Sequence, residues 1–228
     1  MCGSLAYGAG AAARKAAAAA GLTLAAAAAA PAEPVTILAL GDSLTAGYGL
    51  PEGQGFVPRL QAWLDDRGIA ASVVNAGVSG DTTAGGRARL DWSLSDEIDA
   101  VIVALGGNDL LRGIDPATSR ANLDAILATL AARDLQVLLV GIEAPGNYGP
   151  AYKAAFDAMY VDLSREYGAL YEPSFLAPLI AETDIGTARG LYLQADGVHP
   201  NAAGVDVIVE ALGPRVAELA ARAAPPEG

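Results

Sequence analysis

The 228-residue chain has a single cysteine, Cys2, and a single histidine, His199. One thiol cannot close an intramolecular disulfide or build a cysteine-based zinc or iron–sulfur site. One imidazole excludes the multi-histidine sites usual for catalytic zinc. Any chemistry that needs an imidazole has to use His199. Cations are scarce too: 14 Lys and Arg stand against 26 Asp and Glu, a formal charge of −12. An acidic surface repels phosphate backbones and anionic headgroups, which argues against a nucleic-acid partner. The sequence has no G-x-S-x-G elbow, which disfavours the α/β-hydrolase fold. It also has no Walker loop and no G-x-G-x-x-G after a strand. What it does have is apolar material: 53% hydrophobic and 18% charged residues, too apolar for disorder and enough for one domain or at most two.

Residues 1–32 differ from the rest. Arg14 and Lys15 precede Ala16 to Ala30, which is nearly all alanine, and Pro31-Ala32-Glu33-Pro34 follows. A basic start, a short apolar stretch and small residues before a proline-bearing spacer describe a secretory signal peptide, with cleavage near Ala29 or Ala32. Fifteen residues fall short of the roughly 20 that a membrane span requires. The expected location is therefore periplasmic or secreted, with no stable membrane insertion once the leader is removed. Its removal would take the formal charge from −12 to −14. Residues 33–228 are expected to form the single functional domain.

From Val35 onward, short apolar runs alternate with helical periodicity. Val35 to Leu40, Ser72 to Val74 (closed by Asn75), Ala100 to Leu105 and Val137 to Val140 read as strands. Phe56, Val57, Leu60, Trp63 and Leu64 recur at helical spacing until Gly68. A helix carrying Leu123, Ile126, Leu127 and Leu130 opens near Asp115-Pro116, a cap followed by a first-turn proline. Further helices carry Phe156, Met159 and Leu163, then Val205, Ile208, Leu212 and Val216, with a kink expected at Gly213-Pro214. Strands apolar on both faces are buried on both faces, as in parallel sheets covered by helices. The fold class is α/β, a three-layer α/β/α sandwich with a mostly parallel sheet. In such folds ligands collect beyond the carboxyl ends of the strands.

The segments at those ends carry chemistry. Gly41-Asp42-Ser43 follows the first strand, Ser79-Gly80-Asp81 the second and Gly106-Gly107-Asn108-Asp109 the third, while Asp196-Gly197-Val198-His199-Pro200 precedes the last helix. A serine hydroxyl is a weak nucleophile until a base takes its proton, and His199 is the imidazole available for that. Asp196, three residues earlier, can reach Nδ1–H of His199 in a tight turn and hold its tautomer. A developing oxyanion needs donors: the Gly80 amide, the Asn108 carboxamide and the Ser43 amide are the candidates.

GDSLTAGYG, NAGVSGDT, GGND and DGVHPN together resemble the four blocks of the GDSL, or SGNH, hydrolase family, in the family's order. The match spans about Val35 to Ala220. Within the family it is similar to the bacterial thioesterase I, lysophospholipase and arylesterase group, with Glu143 to Gly149 supporting that subgroup. The resemblance implies a Ser43–His199–Asp196 triad with Ser43, Gly80 and Asn108 as oxyanion hole. It also implies a five-stranded flavodoxin-like sheet and no metal. No cofactor is expected. The implied activity is hydrolysis of small acyl or aryl esters, acyl thioesters and lysophospholipids through an acyl-enzyme.

Each residue also has a plainer reading. Ser43 alone reads as a helix cap, Asn108-Asp109 as a turn or cap pair, and Gly80 as a turn glycine. Asp42, Asp81 and Asp109 are expected to support the site, the first two by holding loop amides. Arg87 and Arg89 are expected to cover a helix face. Leu110, Leu111, Pro145, Asn147 and Tyr148 are candidates for the substrate pocket. Two rival functions remain at this stage. One is a carbohydrate or cell-wall O-acetyl esterase with the same triad and a smaller pocket. The other is a non-catalytic flavin carrier, with Ser43 and Thr45 facing a phosphate.

Overall fold

Apolar runs become interior strands when helices cover them on both sides. The computed structural model, which describes residues 33–181 and 183–225 together with Met1 and Gly3, shows five strands in that arrangement. They are β1 (Val35–Gly41), β2 (Ala71–Gly77), β3 (Ala100–Ala104), β4 (Gln136–Val140) and β5 (Leu170–Glu172). Their order is β2-β1-β3-β4-β5, and every pairing is parallel. The leader expected over residues 1–32 lies outside the described residues, apart from Met1 and Gly3. Among the described residues no helix is long and apolar enough to cross a membrane.

Alternate side chains of the central strands feed two separate cores. Ile37, Ala39, Ile102, Leu138 and Val140 pack with Leu60, Leu64, Ile208 and Leu212. The last four belong to α2 (Phe56–Asp66) and α8 (Ala202–Ala223). Leu38, Leu40, Val101, Val103 and Leu139 face the opposite way and pack with Leu90, Leu123, Ile126 and Phe156. Those come from α3 (Thr83–Ser93), α5 (Pro116–Ala131) and α6 (Pro150–Tyr167). Helices thus lie on both faces of the sheet, the three-layer sandwich. Asp115 caps α5 by accepting from the Ala117 amide at 2.9 Å, with Pro116 at the first helical position. α8 continues through Pro214 as one helix.

β2 departs from the sequence reading. It does not close at Asn75 but runs to Gly77, in register with β1 along its whole length. As an edge strand it has a neighbour on one side only, and Val74 is 42% exposed. Two-sided burial holds for β1, β3 and β4, not for β2.

One buried carboxylate ties the layer behind the site together. Asp109 sits in α4 (Gly107–Leu111) and is fully buried. It accepts from the Thr83 amide at 2.8 Å, the Thr83 hydroxyl at 2.6 Å and the Ser119 hydroxyl at 2.8 Å. This joins the starts of α3 and α5 to α4. In Asp109→Asn the new amide would set an N–H against one of those donors, and a buried unsatisfied group costs about 1–3 kcal/mol. The expected result is a lower urea midpoint at unchanged denaturant dependence. A midpoint equal to wild type would show that this tie does not hold the layers.

Candidate active site

The loop after β1 turns directly into α1 (Ser43–Ala46). Asp42 caps that helix, accepting from the Leu44 amide at 3.0 Å, so Ser43 is the first helical residue rather than the cap. Its hydroxyl faces the segment before α8. There Asp196 Oδ1 accepts from the amides of Val198 at 2.9 Å and His199 at 3.0 Å, closing a tight turn. Asp196 Oδ2 lies 2.6 Å from His199 Nδ1, and His199 Nε2 lies 2.8 Å from Ser43 Oγ. The hydrogen bond from His199, followed by the two amides, lowers the Asp196 carboxyl to about 2. An ionised carboxylate only accepts, so Nδ1 carries the proton. In the neutral ring Nε2 is then bare and can accept from the serine hydroxyl.

Neighbouring residues hold this imidazole in place. The Tyr48 ring lies against it, with centroids 4.6 Å apart. Gln194 accepts nothing from the ring but braces its loop: its side chain donates to the carbonyls of Tyr48 at 2.8 Å and Pro200 at 2.9 Å. Asn201 caps α8 through the Gly204 amide and donates to the carbonyls of Leu191 and Leu193.

Three donors converge on the same cleft. Asn108 lies at the start of α4, one residue after Gly107, and its Nδ2 donates to Asp42 Oδ2 at 3.3 Å. That acceptor fixes which end of the carboxamide is nitrogen, and leaves the second N–H for the cleft. Gly106, just before α4, has φ 122, and a Cβ there would collide with the Tyr160 hydroxyl, so only glycine makes this entry. Gly80 has φ 87, again a glycine conformation. Its carbonyl accepts from Arg112 Nη2 at 2.8 Å. The amides of Ser43 and Gly80 donate to no backbone acceptor in the loops among the described residues, which leaves them available to a ligand.

The acidic supports divide their tasks differently from the sequence reading. Asp42 holds the amide of Leu44 in the first turn of α1, not a loop amide. Asp81 instead pairs with Arg89 Nε at 2.6 Å, and Arg89 Nη2 donates to the Gly41 carbonyl at 2.8 Å. Arg89 therefore does not merely cover a helix face: it is largely buried and braces the end of β1. Arg87 reaches Asn122 of α5. Among the described residues no cluster of three or more His, Cys, Asp or Glu is placed to hold a metal ion.

Ser43 and His199 open onto a cleft of about 440 Å³, also lined by Asp42, Gly80 and Asn108. Its apolar walls include Leu110 and Leu111, which the sequence singled out. Pro145 lines a neighbouring cavity instead, and Asn147 and Tyr148 line neither. The Tyr148 ring is drawn away onto Tyr152 and packs beside Gly113. Leu44, Tyr48, Ile142, Leu176 and Val198 are lining residues that the sequence reading missed. Leu44, Tyr48 and Val198 were findable, because they flank Ser43 and His199 in the chain.

Burial pushes the Asp42 carboxyl up from 3.8 to about 6, against hydrogen bonds from Leu44 and Asn108 that pull it down. A carboxyl raised in the folded state stabilises the fold at low pH, and that contribution is lost as pH rises through the window from about 4 to about 6. The loss is on the order of 3 kcal/mol. Urea melts of wild type and Asp42→Asn at roughly pH 4 and pH 7 should therefore show the variant gaining relative to wild type at the higher pH. An equal difference at both pH values would contradict a buried, titrating Asp42.

The model of the GDSL-like lipase/acylhydrolase family matches residues 39–207. The chain is 43% identical over 187 residues to the esterase TesA of Pseudomonas aeruginosa, covering 81% of this chain and 89% of that one. It is 38% identical over 168 residues to thioesterase 1/protease 1/lysophospholipase L1 of Escherichia coli strain K12, covering 73% and 76%. Among solved structures it superposes on AlinE4, an SGNH-hydrolase family esterase, with a TM-score of 0.66 at 43% identity, covering 83% of this chain and 98% of that one. With a family match running from within β1 into α8, and thus across every segment that builds the cleft, the chain belongs to the GDSL-like lipase/acylhydrolase family.

Proposed function

We propose that the chain is a serine hydrolase of carboxylic esters in which Ser43 is the nucleophile, His199 the general base and Asp196 its orienting carboxylate. The observation that carries this is the unbroken hydrogen-bonded line from Ser43 Oγ through the two nitrogens of His199 to Asp196. Ser43 Oγ attacks the acyl carbonyl while His199 Nε2 takes its proton. The carbonyl oxygen becomes an oxyanion facing the Ser43 and Gly80 amides and the Asn108 carboxamide. His199 then protonates the departing oxygen or sulfur, leaving an acyl-enzyme. Water, deprotonated by His199, releases the acid and restores Ser43.

The substrate classes in view are acyl and aryl esters, with thioesters and lysophospholipids as extensions suggested by the relatives' names. The size and aliphatic walls of the cleft support acyl groups longer than acetyl over the O-acetyl esterase alternative. The flavin-carrier reading finds no support, because the Ser43 hydroxyl is engaged by an imidazole.

Ser43→Ala is expected to abolish hydrolysis of p-nitrophenyl butyrate, and Asn108→Ala to lower kcat by about 10²–10³-fold. Turnover by Ser43→Ala at the parent rate would refute the mechanism.

We further propose that residues 1–32 export the chain, on the strength of Arg14-Lys15 followed by the alanine-rich stretch. Amino-terminal sequencing of the protein from the cell envelope or medium is expected to start between Ala29 and Glu33. Finding the chain in the cytosol with Met1 or Cys2 at its start would refute export.

A further inference from the structure

Beside the catalytic cleft lies a second cavity of about 430 Å³. The two share Glu143, Leu176 and Val198, so they are limbs of one groove. The second limb is walled by Leu179, Ile180, Ile185, Ala188 and Leu193. These come from the 3-10 turn Ala177–Ile180, from α7 (Ile185–Tyr192) and from the residue after it. Ile180 is 45% exposed and Ile185 66%. Their cost in water is relieved only when something apolar covers them. Two charged residues also line this limb: Glu143, held by Lys153 at 2.9 Å, and Arg189.

The placement of the reacting groups decides what enters each limb. The tetrahedral carbon on Ser43 carries an oxyanion, an acyl substituent and a departing atom. Its oxyanion faces Gly80 and Asn108, and Leu110 and Leu111 of the same α4 stand on that side, in the first limb only. His199 Nε2 must hand its proton to the departing atom, so the alcohol half leaves on the His199 side. The second limb is walled by Leu193, Gly197 and Val198, the segment that carries Asp196 and His199.

We propose that this second limb is the subsite for the alcohol half of the substrate, which makes the preferred substrates esters that are apolar on both sides of the scissile bond. The inference rests on the serine-hydrolase reading above and adds the identity of the second half.

The test uses butyrate esters of ethanol, butanol and octanol, whose alcohols differ in length and hardly in acidity. In wild type, kcat/KM is expected to rise with alcohol length, by up to about fourfold per methylene buried. Ile180→Ser and Ile185→Ser each remove exposed aliphatic wall without opening a core void. Each is expected to lower the octyl-to-ethyl ratio by at least about threefold, the equivalent of roughly one buried methylene. The hexanoate-to-acetate ratio, measured on ethyl esters, is expected to keep its wild-type value. Ala177→Leu, which narrows the same limb, is expected to lower the octyl-to-ethyl ratio as well. A wild-type rate flat across the three alcohols, or a serine variant that shifts the acyl ratio instead, overturns the inference while leaving the hydrolase reading intact. Retained turnover in Ser43→Ala would overturn the hydrolase reading itself.

Discussion

The level ends of three neighbouring strands are the constraint from which the rest follows. Gly41 pairs with Gly77 on one side and with Ala104 on the other. The loops after β1, β2 and β3 therefore begin at the same height, and Ser43, Gly80 and Asn108 emerge within reach of one small group. β1 is also where the chain order reverses, with β2 on one side and β3 on the other. Crevices form at such switch points because successive connections diverge to opposite faces of the sheet. Slipping β2 or β3 by one residue would displace Gly80 or Asn108 from the cleft and turn the strand's apolar side chains to the wrong face.

Two carboxylates of this site live in opposite environments, and the contrast explains their different duties. Asp196 is partly exposed and receives three hydrogen bonds, so it stays ionised and serves as a fixed acceptor. Asp42 is buried at the end of a strand, and dehydration pushes its carboxyl up to about 6. Its worth is geometric: it stops α1 from fraying and sets the direction of the Asn108 carboxamide. Asp81 and Asp109 spend their lone pairs away from the cleft, on Arg89 and on the starts of α3 and α5.

The parts readable in the sequence were those where one local force dominates. β1, β3 and β4 announce themselves because total burial demands uninterrupted apolar runs, and α5 because a cap and a proline mark its first turn. β5 did not, since three residues on an edge with one buried side chain leave no pattern. The continuation of β2 past Asn75 was hidden because that side chain usually ends strands, yet here it folds back to accept from the Gly77 amide at 2.9 Å. Ser43, His199 and Asp196 were readable because scarcity left one imidazole to place. The far wall of the cleft was not, because Ile142, Leu176 and the α7 residues become neighbours only through tertiary packing, without any local signature.

His199 and Ser43 stand 156 positions apart in the chain, and the imidazole is held by Asp196 in the turn just before the last described helix. A ribosome must release everything from Ser43 through His199 before this imidazole can meet that serine. A growing chain that has not yet reached His199 therefore lacks the Ser43–His199 pair. Closing so long a loop is entropically unfavourable until both cores have condensed. Turnover then reports on completed folding, and a truncated or half-assembled copy is silent rather than indiscriminately reactive.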